Sequence, residues 1–330
     1  MKIACLAAAT ELLALVRNVP RMDSFIFPEY ILPAFASYAT DTNVGIRIAF
    51  ANHAPTLGNA ALRFHRLRWD LEIADRAARD AEAANAPLPP SSSAGDMGMT
   101  VAGFLEQVEA NEEGELKKLR RDFKKSVVDV LTDEQPAVRR AILNHVLHLA
   151  TFFGETMTDE LLPHIISSLN DRDWELRAAF FDNITAVAIC VGKTAVADFI
   201  LPCILQALAD FEQFVIENAL KALAVLYNLQ LLEKQEALEV LERNVCVMLC
   251  HPTLPVRASA VGCVLGAAKQ LSMVEVHCRL LPILRPFLKT ADIVLIEGDS
   301  LLEELRPPLS QEEYEKLVHN PYMNAPELLS

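Results

Sequence analysis

Residues 161–191, LLPHIISSLNDRDWELRAAFFDNITAVAICV, decide the fold. A short apolar run closes on Asn170, a polar turn follows at Asp171, Arg172 and Asp173, and a second, longer apolar run begins at Trp174. In that second run Leu176, Phe180, Ile184, Val187 and Val191 recur at spacings of 4, 4, 3 and 4, which is the stripe of a helix turned toward a core. Ala178 and Phe181 add apolar surface beside the stripe, so burial on more than one side is expected. A helix of that kind cannot shelter itself and must stack between neighbours.

The same arrangement recurs. Asp41 stands six positions ahead of Arg47, Asp133 ahead of Arg139, and Asp171 ahead of Arg177, while His251 takes the place of the acid ahead of Arg257. Arg139, Arg177 and Arg257 are separated by 38 and then 80 residues, and eighty is two units of forty, with a weaker member expected around Asp210 and Glu217. Four residues before each arginine sit Asn43, Gln135, Asp173 and Thr253, and three of these four are good N-cap residues. Pro136 follows Gln135, where a first-turn proline loses no hydrogen bond. Leu-Pro pairs keep the same rhythm: Pro33 and Pro163 each lie 14 residues before an arginine, and Pro202 and Pro282 mark the same point in other units. A period near 40 with two helices per unit is the signature of HEAT-type repeats. The expected fold class is all-α, a HEAT-type α-α solenoid (armadillo-like superhelix) with one flexible insertion loop.

Periodicity and breakers predict helices near 1–17, 27–40, 44–84, 111–131, 137–152, 159–169, 174–191, 195–209, 213–229, 234–249, 254–270, 273–289 and 292–305. The stretch 85–103, with three prolines, three serines and three glycines, reads as a flexible insertion inside the solenoid, which spans 1–305. Pro307-Pro308 stops the last solenoid helix, and Ser310 with Glu313 forms a capping box for a short helix in a terminal piece, 306–330.

Composition agrees and excludes other classes. Of 330 residues 52% are hydrophobic and 22% charged, which excludes disorder for most of the chain. Eleven glycines are about half the usual share, and with 7% aromatics a β-rich fold lacks both turn residues and strand formers. The net charge of −14 is uneven, −2 over 1–150 (17 basic, 19 acidic) and −12 over 151–330 (13 basic, 25 acidic). Such a surface repels phosphate backbones, so no nucleic-acid partner is expected. Seven scattered cysteines without a C-x-x-C pair suit a reducing compartment. The apolar start is cut by Glu11 and reads as an amphipathic helix, not a signal peptide. The apolar run 194–209 is too short to span a bilayer, so direct membrane insertion is not expected.

No motif of a phosphate loop, kinase, metalloprotease or hydrolase is found in the sequence, and no cofactor, metal or small-molecule substrate is expected. Lys117, Lys118, Arg120, Arg121, Lys124 and Lys125 form a basic cluster, read as the solvated face of a helix whose inner stripe is Leu116, Leu119, Phe123, Val127 and Val130. Cys246, Cys250 and His251 lack an evident fourth ligand and read as structural. His145 and His148, one turn apart, read as packing or surface residues. The repeated Asp and Arg residues read as structural too, pairing with turn backbones or with the neighbouring repeat.

Four stretches carry a specific resemblance: VPRMDSFIFPEYILPAFASYATD from 19, LLPHIISSLNDRDWELRAAFFDNITAVAICVG from 161, FVIENALKALAVLYNLQLLEK from 214, and LCHPTLPVRASAVG from 249. Together they resemble the HEAT-repeat region of the regulatory, vacuolar-sorting protein kinase-like subunit of class III phosphatidylinositol 3-kinase. The runs at 173–182 and 28–33 are the most telling. The resemblance implies a scaffold that holds the catalytic lipid kinase together with a Beclin-type coiled-coil subunit on endosomal or autophagic membranes. It also implies flanking kinase-like and WD-repeat domains, which this sequence does not contain, so a fragment or truncated gene model is expected and no kinase activity is carried over. Two other readings stay open: a different HEAT scaffold, such as a phosphatase scaffold subunit or a transport receptor, and part of a serine/threonine protein kinase.

Overall fold

The computed structural model describes residues 1–85, 101–154, 161–290 and 298–319. Among the described residues the regular elements are helical, and the only β pairing is an isolated antiparallel bridge between Leu288 and Leu305. The chain divides into two compact units, Met1–Phe153 and Gly154–Ser330.

In the first unit α1 (Lys2–Leu15) lies against α3 (Val44–Asn85) and buries Leu6, Thr10 and Leu13. Between them the chain makes a π-turn at Phe27–Ile31 and a short α2 (Leu32–Ala36). At 1.5 Å per residue, α3 runs about 63 Å, and it continues through Pro55. It packs on α4 (Val101–Leu131), α5 (Pro136–Leu143) and α6 (Val146–Phe153). The core there is aromatic: Phe123 meets Phe152 edge-on at 5.2 Å, and Phe152 meets Phe153 edge-on at 4.9 Å. Gly58 makes room for this cluster, since a Cβ in its place would sit 3.2 Å from the Phe152 ring.

The sequence expectation is corrected most at α4 and at the helix expected over 137–152. Helix α4 begins at Val101 and not near 111, because Ala, Glu, Gln and Leu over 102–116 favour helix enough to carry it past Gly103 and Gly114. Of the expected flexible insertion, Asn85 and 101–103 are therefore helical, and 86–100 lie outside the described residues. The helix expected over 137–152 is two, α5 and α6, since the His145 amide bonds back to the Ile142 carbonyl at 3.0 Å and tightens the turn at Asn144 and His145.

The second unit begins its described part with α7 (Leu162–Ser167) and α8 (Trp174–Ala195). Leu176, Phe180, Ile184 and Val187 of the expected stripe are buried, as are Ala178 and Phe181, while Val191 is half-buried. Gly192, at φ 82, takes the left-handed region that ends the helix proper. Trp174–Ala207 is long and apolar enough to cross a bilayer by length and composition, but this break divides it into two helices. Next come α9 (Leu201–Ala207), α10 (Gln213–Asn228), α11 (Lys234–Val240), α12 (Cys246–Met248) and α13 (Leu254–Ala268). Helix α10 packs against both α8 and α13, with Val215, Ile216, Ala219, Leu220, Leu223 and Leu226 buried, which is the sheltering that the repeat requires. The unit ends with α14 (Met273–Glu275), α15 (Leu281–Leu284), α16 (Gly298–Glu304) and α17 (Gln311–His319). Ser310 and Glu313 make the expected capping box: Glu313 N–H donates to Ser310 Oγ at 3.4 Å, and Ser310 N–H to Glu313 Oε2 at 3.0 Å.

The repeated prolines acquire a physical role. Pro33, Pro202 and Pro282 are each the second residue of a helix entered from a five-residue π-turn, at Phe27–Ile31, Val196–Ile200 and Val276–Leu280. A proline inside a helix has no N–H and crowds the carbonyl four residues back, so the preceding turn widens to i→i−5 bonding. Pro163 is likewise second in α7. A fourth π-turn, Leu241–Val245, leads into α12 at Cys246 with no proline at all.

Candidate functional site

The signature residues meet at the turns. In each case the arginine, one turn into its helix, reaches back to the carbonyl six residues earlier. Arg47 Nη1 donates to the Asp41 carbonyl at 2.8 Å, Arg177 Nη1 to that of Asp171 at 2.8 Å, Arg257 Nη1 to that of His251 at 2.9 Å, and Arg139 Nη1 to that of Asp133. The acid pins the same turn from the other side by accepting the amide two residues on. Asn43 N–H reaches Asp41 Oδ1 at 2.9 Å, Gln135 N–H reaches Asp133 Oδ1 at 2.9 Å, and Asp173 N–H reaches Asp171 Oδ1 at 2.9 Å. This is an Asx-turn locked by a guanidinium.

Arg47 and Arg177 also join one turn to the next. Arg47 grips Asp133 through Nε–Oδ2 at 2.5 Å and Nη2–Oδ1 at 3.0 Å. Arg177 grips Asp210 through Nε–Oδ2 at 2.7 Å and Nη2–Oδ1 at 2.8 Å. Both are forked, charge-assisted pairs, the strong kind, and their four side chains are 7–15% exposed, which removes much of the screening by water. Burial by itself would raise the pKa of Asp133 and Asp210, but the arginine bonds and the turn amides outweigh it and hold both carboxyls below the ordinary value.

The weak repeat expected around Asp210 and Glu217 is present at Asp210 but does not include Glu217. Asp210 accepts Glu212 N–H at 2.9 Å as the other turn acids do, but the residue six positions on is Ile216, and Glu217 instead pairs with Lys221 at 2.6 Å. The unit keeps its acid and lacks its arginine. Of the expected caps, Asn43 and Asp173 accept first-turn amides from Gly45 and Glu175 at 2.9 and 3.0 Å. Thr253 makes no such bond; its hydroxyl lies 2.8 Å from His251 Nδ1. His251 replaces the acid faithfully, since its Nδ1 also accepts Thr253 N–H at 3.1 Å, and the buried ring meets Tyr314 of α17 edge-on at 4.6 Å.

The other residues of interest are structural in placement. Burial pushes the Cys246 and Cys250 thiols up to about 12, which disfavours the thiolate a metal needs. Among the described residues no group of three or more His, Cys, Asp and Glu side chains is placed to hold a metal ion. Lys117 pairs with Glu113 at 2.6 Å, and Arg120 Nε donates to the Phe152 carbonyl at 2.9 Å, while Leu119, Phe123, Val127 and Val130 are buried and Leu116 is half-buried beneath the basic cluster. His145 is half-buried and His148 exposed, with rings 6.3 Å apart.

Paired helices, proline-bent on one side and clasped at their turns, define a HEAT-type helical-repeat protein. The chain belongs to the family described as PIK3R4-like, middle domain, which residues 1–318 match. It is 36% identical over 330 residues to a probable serine/threonine-protein kinase vps15 of Dictyostelium discoideum, covering 96% of this chain and 16% of that protein. It is 30% identical over 318 residues to serine/threonine-protein kinase VPS15 of Arabidopsis thaliana, covering 94% of this chain and 20% of that protein. The chain thus spans a fifth or less of the length of these relatives. Among solved structures Cex1p is similar at 13% identity and a TM-score of 0.48, over 90% of this chain and 55% of that one.

Proposed function

We propose that this chain is a non-catalytic scaffold segment of a class III phosphatidylinositol 3-kinase complex, on which the catalytic lipid kinase and a Beclin-type subunit dock. The work of that complex would be autophagy and endosomal or vacuolar sorting, and the segment would reach those membranes through the complex. The observation that carries this reading is the match of residues 1–318 to the middle-domain family. The clasped turns supply the physical means: loops fixed before binding lose little entropy on docking, so a partner meets a prepared surface.

Co-purification tests the proposal. The intact protein carrying this region should retain the lipid kinase and Beclin-type subunits, and removal of the region should release at least one of them. Full retention of both without the region contradicts it. Calorimetry of the 330-residue chain with Mg-ATP should give no saturable heat. Binding there would favour the reading as part of a protein kinase.

A further inference from the structure

In the first unit a pocket of about 160 Å³ lies between residues 24–29, α3 and α4. Phe27, Phe64 and Leu119, all buried, form its inner wall. The Phe27 and Phe64 rings stand 5.1 Å apart, tilted at 33°, so most of that wall is aromatic. Toward solvent the rim carries Phe25 and Lys118, both exposed, and the guanidinium of Arg68. An apolar cavity of about 150 Å³ is large enough to admit a benzene ring. Small-molecule sites are typically concave and mostly apolar, with a few placed polar groups that fix orientation.

The placed polar group here is an imidazole nitrogen. His65 lines the pocket from α3 with its side chain 7% exposed, and its Nε2 has no hydrogen-bond partner among the described residues. Glu112 Oε1 stands 4.0 Å away, beyond hydrogen-bond reach. Burial lowers the His65 pKa, so the ring is uncharged at neutral pH. A buried nitrogen without a partner is unfavourable, and a ligand that bonds it recovers the loss. In a neutral imidazole that nitrogen donates in one tautomer and accepts in the other. A hydroxyl does both and satisfies either tautomer, whereas a carboxylate or an ammonium satisfies one and a hydrocarbon neither. Arg68 is not free to hold an anion, because its guanidinium forks onto Glu115 and lies 3.8 Å from the Phe25 ring centre. Lys118 is exposed, so water screens its charge.

We propose that this pocket binds a neutral phenol group, its ring against Phe27, Phe64 and Leu119 and its hydroxyl on His65 Nε2. The ring meets the two phenylalanines in the tilted or edge-on arrangements that aromatic groups favour. The same chemistry comes from two sources, a free small phenol and the side chain of a tyrosine on a partner protein. The scaffold reading neither requires this site nor excludes it, and the two stand or fall separately.

The test titrates the 330-residue chain with phenol, toluene and benzoate and follows the His65 ring nitrogens by NMR. Phenol should saturate the pocket and move the Nε2 resonance. Toluene should bind about tenfold or more weakly, because it leaves that nitrogen bare, and benzoate should not displace phenol. His65→Phe keeps a ring in the wall and should bring phenol and toluene to within about twofold of each other. If that variant does not fold, the wild-type Nε2 shift and the phenol-to-toluene ratio decide. Absence of saturable phenol binding, which would mean a pocket filled by water only, overturns the proposal. Equal affinities for phenol and toluene in the wild type, or a preference for benzoate, overturn it as well. N-acetyl-tyrosinamide then separates the sources: binding as tight as that of phenol supports a partner's tyrosine, and binding of phenol alone supports a free ligand.

Discussion

Arg177 holds Asp210 with two parallel bonds, at 2.7 and 2.8 Å, while its third nitrogen donates to the carbonyl of Asp171. One side chain thereby closes its own turn and fastens the following one. Arg47 does the same for Asp41 and Asp133. A forked guanidinium can do this because its donors point in fixed directions, and lysine has no equivalent geometry.

Acid should release the clasps. The folded-state carboxyls of Asp133 and Asp210 are held below the ordinary 3.8, so their stabilisation is fully present above that value and is lost as pH falls through the folded one. Asp210→Asn should destabilise the chain by about 1.5–3 kcal/mol at neutral pH, and the gap to wild type should close below about pH 4. Urea midpoints across pH check this. A gap that persists undiminished at about pH 2.5 contradicts it.

His251 should behave as a neutral substitute for the turn acid. Burial lowers its pKa, and an acceptor role for Nδ1 requires the ring to stay uncharged at that nitrogen. Its contribution is therefore complete above the ordinary 6.5 and falls away as pH drops through the lower folded value. His251→Asn keeps a neutral acceptor and loses the Tyr314 contact, a cost of about 1 kcal/mol. His251→Asp buries a carboxylate that gets no forked clasp from the preceding repeat, where Ile216 stands in the arginine position, and whose nearby guanidinium, Arg257, is already bonded to the His251 and Pro252 carbonyls, at about 1–2 kcal/mol. Thermal midpoints of the two variants rank them, and an aspartate variant as stable as wild type contradicts the account.

Two glycines of α13 should respond oppositely. A Cβ at Gly266 would lie 3.1 Å from the Ala224 carbonyl oxygen and from Tyr227 Cβ, so Gly266→Ala must push α10 and α13 apart and should cost about 1 kcal/mol net. A Cβ at Gly262 would meet only Ala224 Cβ, at 3.9 Å, so Gly262→Ala should gain about 0.5–1 kcal/mol from helix propensity. Denaturation of both variants checks the pair. Equal signs contradict the packing described.

The sequence disclosed what is local. A six-residue gap between acid and arginine repeats because the guanidinium must reach one particular carbonyl, and the doubly buried stripe of α8 could be read directly from its spacing. Where half of a signature was lost, only part of it was legible: Asp210 could be placed as the acid of a weaker member, and it keeps its turn and its bond from Arg177, but Ile216 stands in the arginine position and Glu217, read into the site, lies outside it. The π-turns were also invisible, since Leu241–Val245 has one without the proline that accompanies the others. Trp174 and Phe214 resemble the apolar residues of the stripes around them, and only the packing shows which face they take. The nearest signal was two phenylalanines among the turn acids, in DFEQF from 210.

The central claim, that the recurring acid and arginine are clasps between repeats, is tested most directly by a double-mutant cycle. Arg177→Ala, Asp210→Ala and the double variant of the 330-residue chain are unfolded in urea at neutral pH. The structure requires a coupling energy of about 1.5–3 kcal/mol between the two sites. Effects that add to within about 0.5 kcal/mol would contradict it.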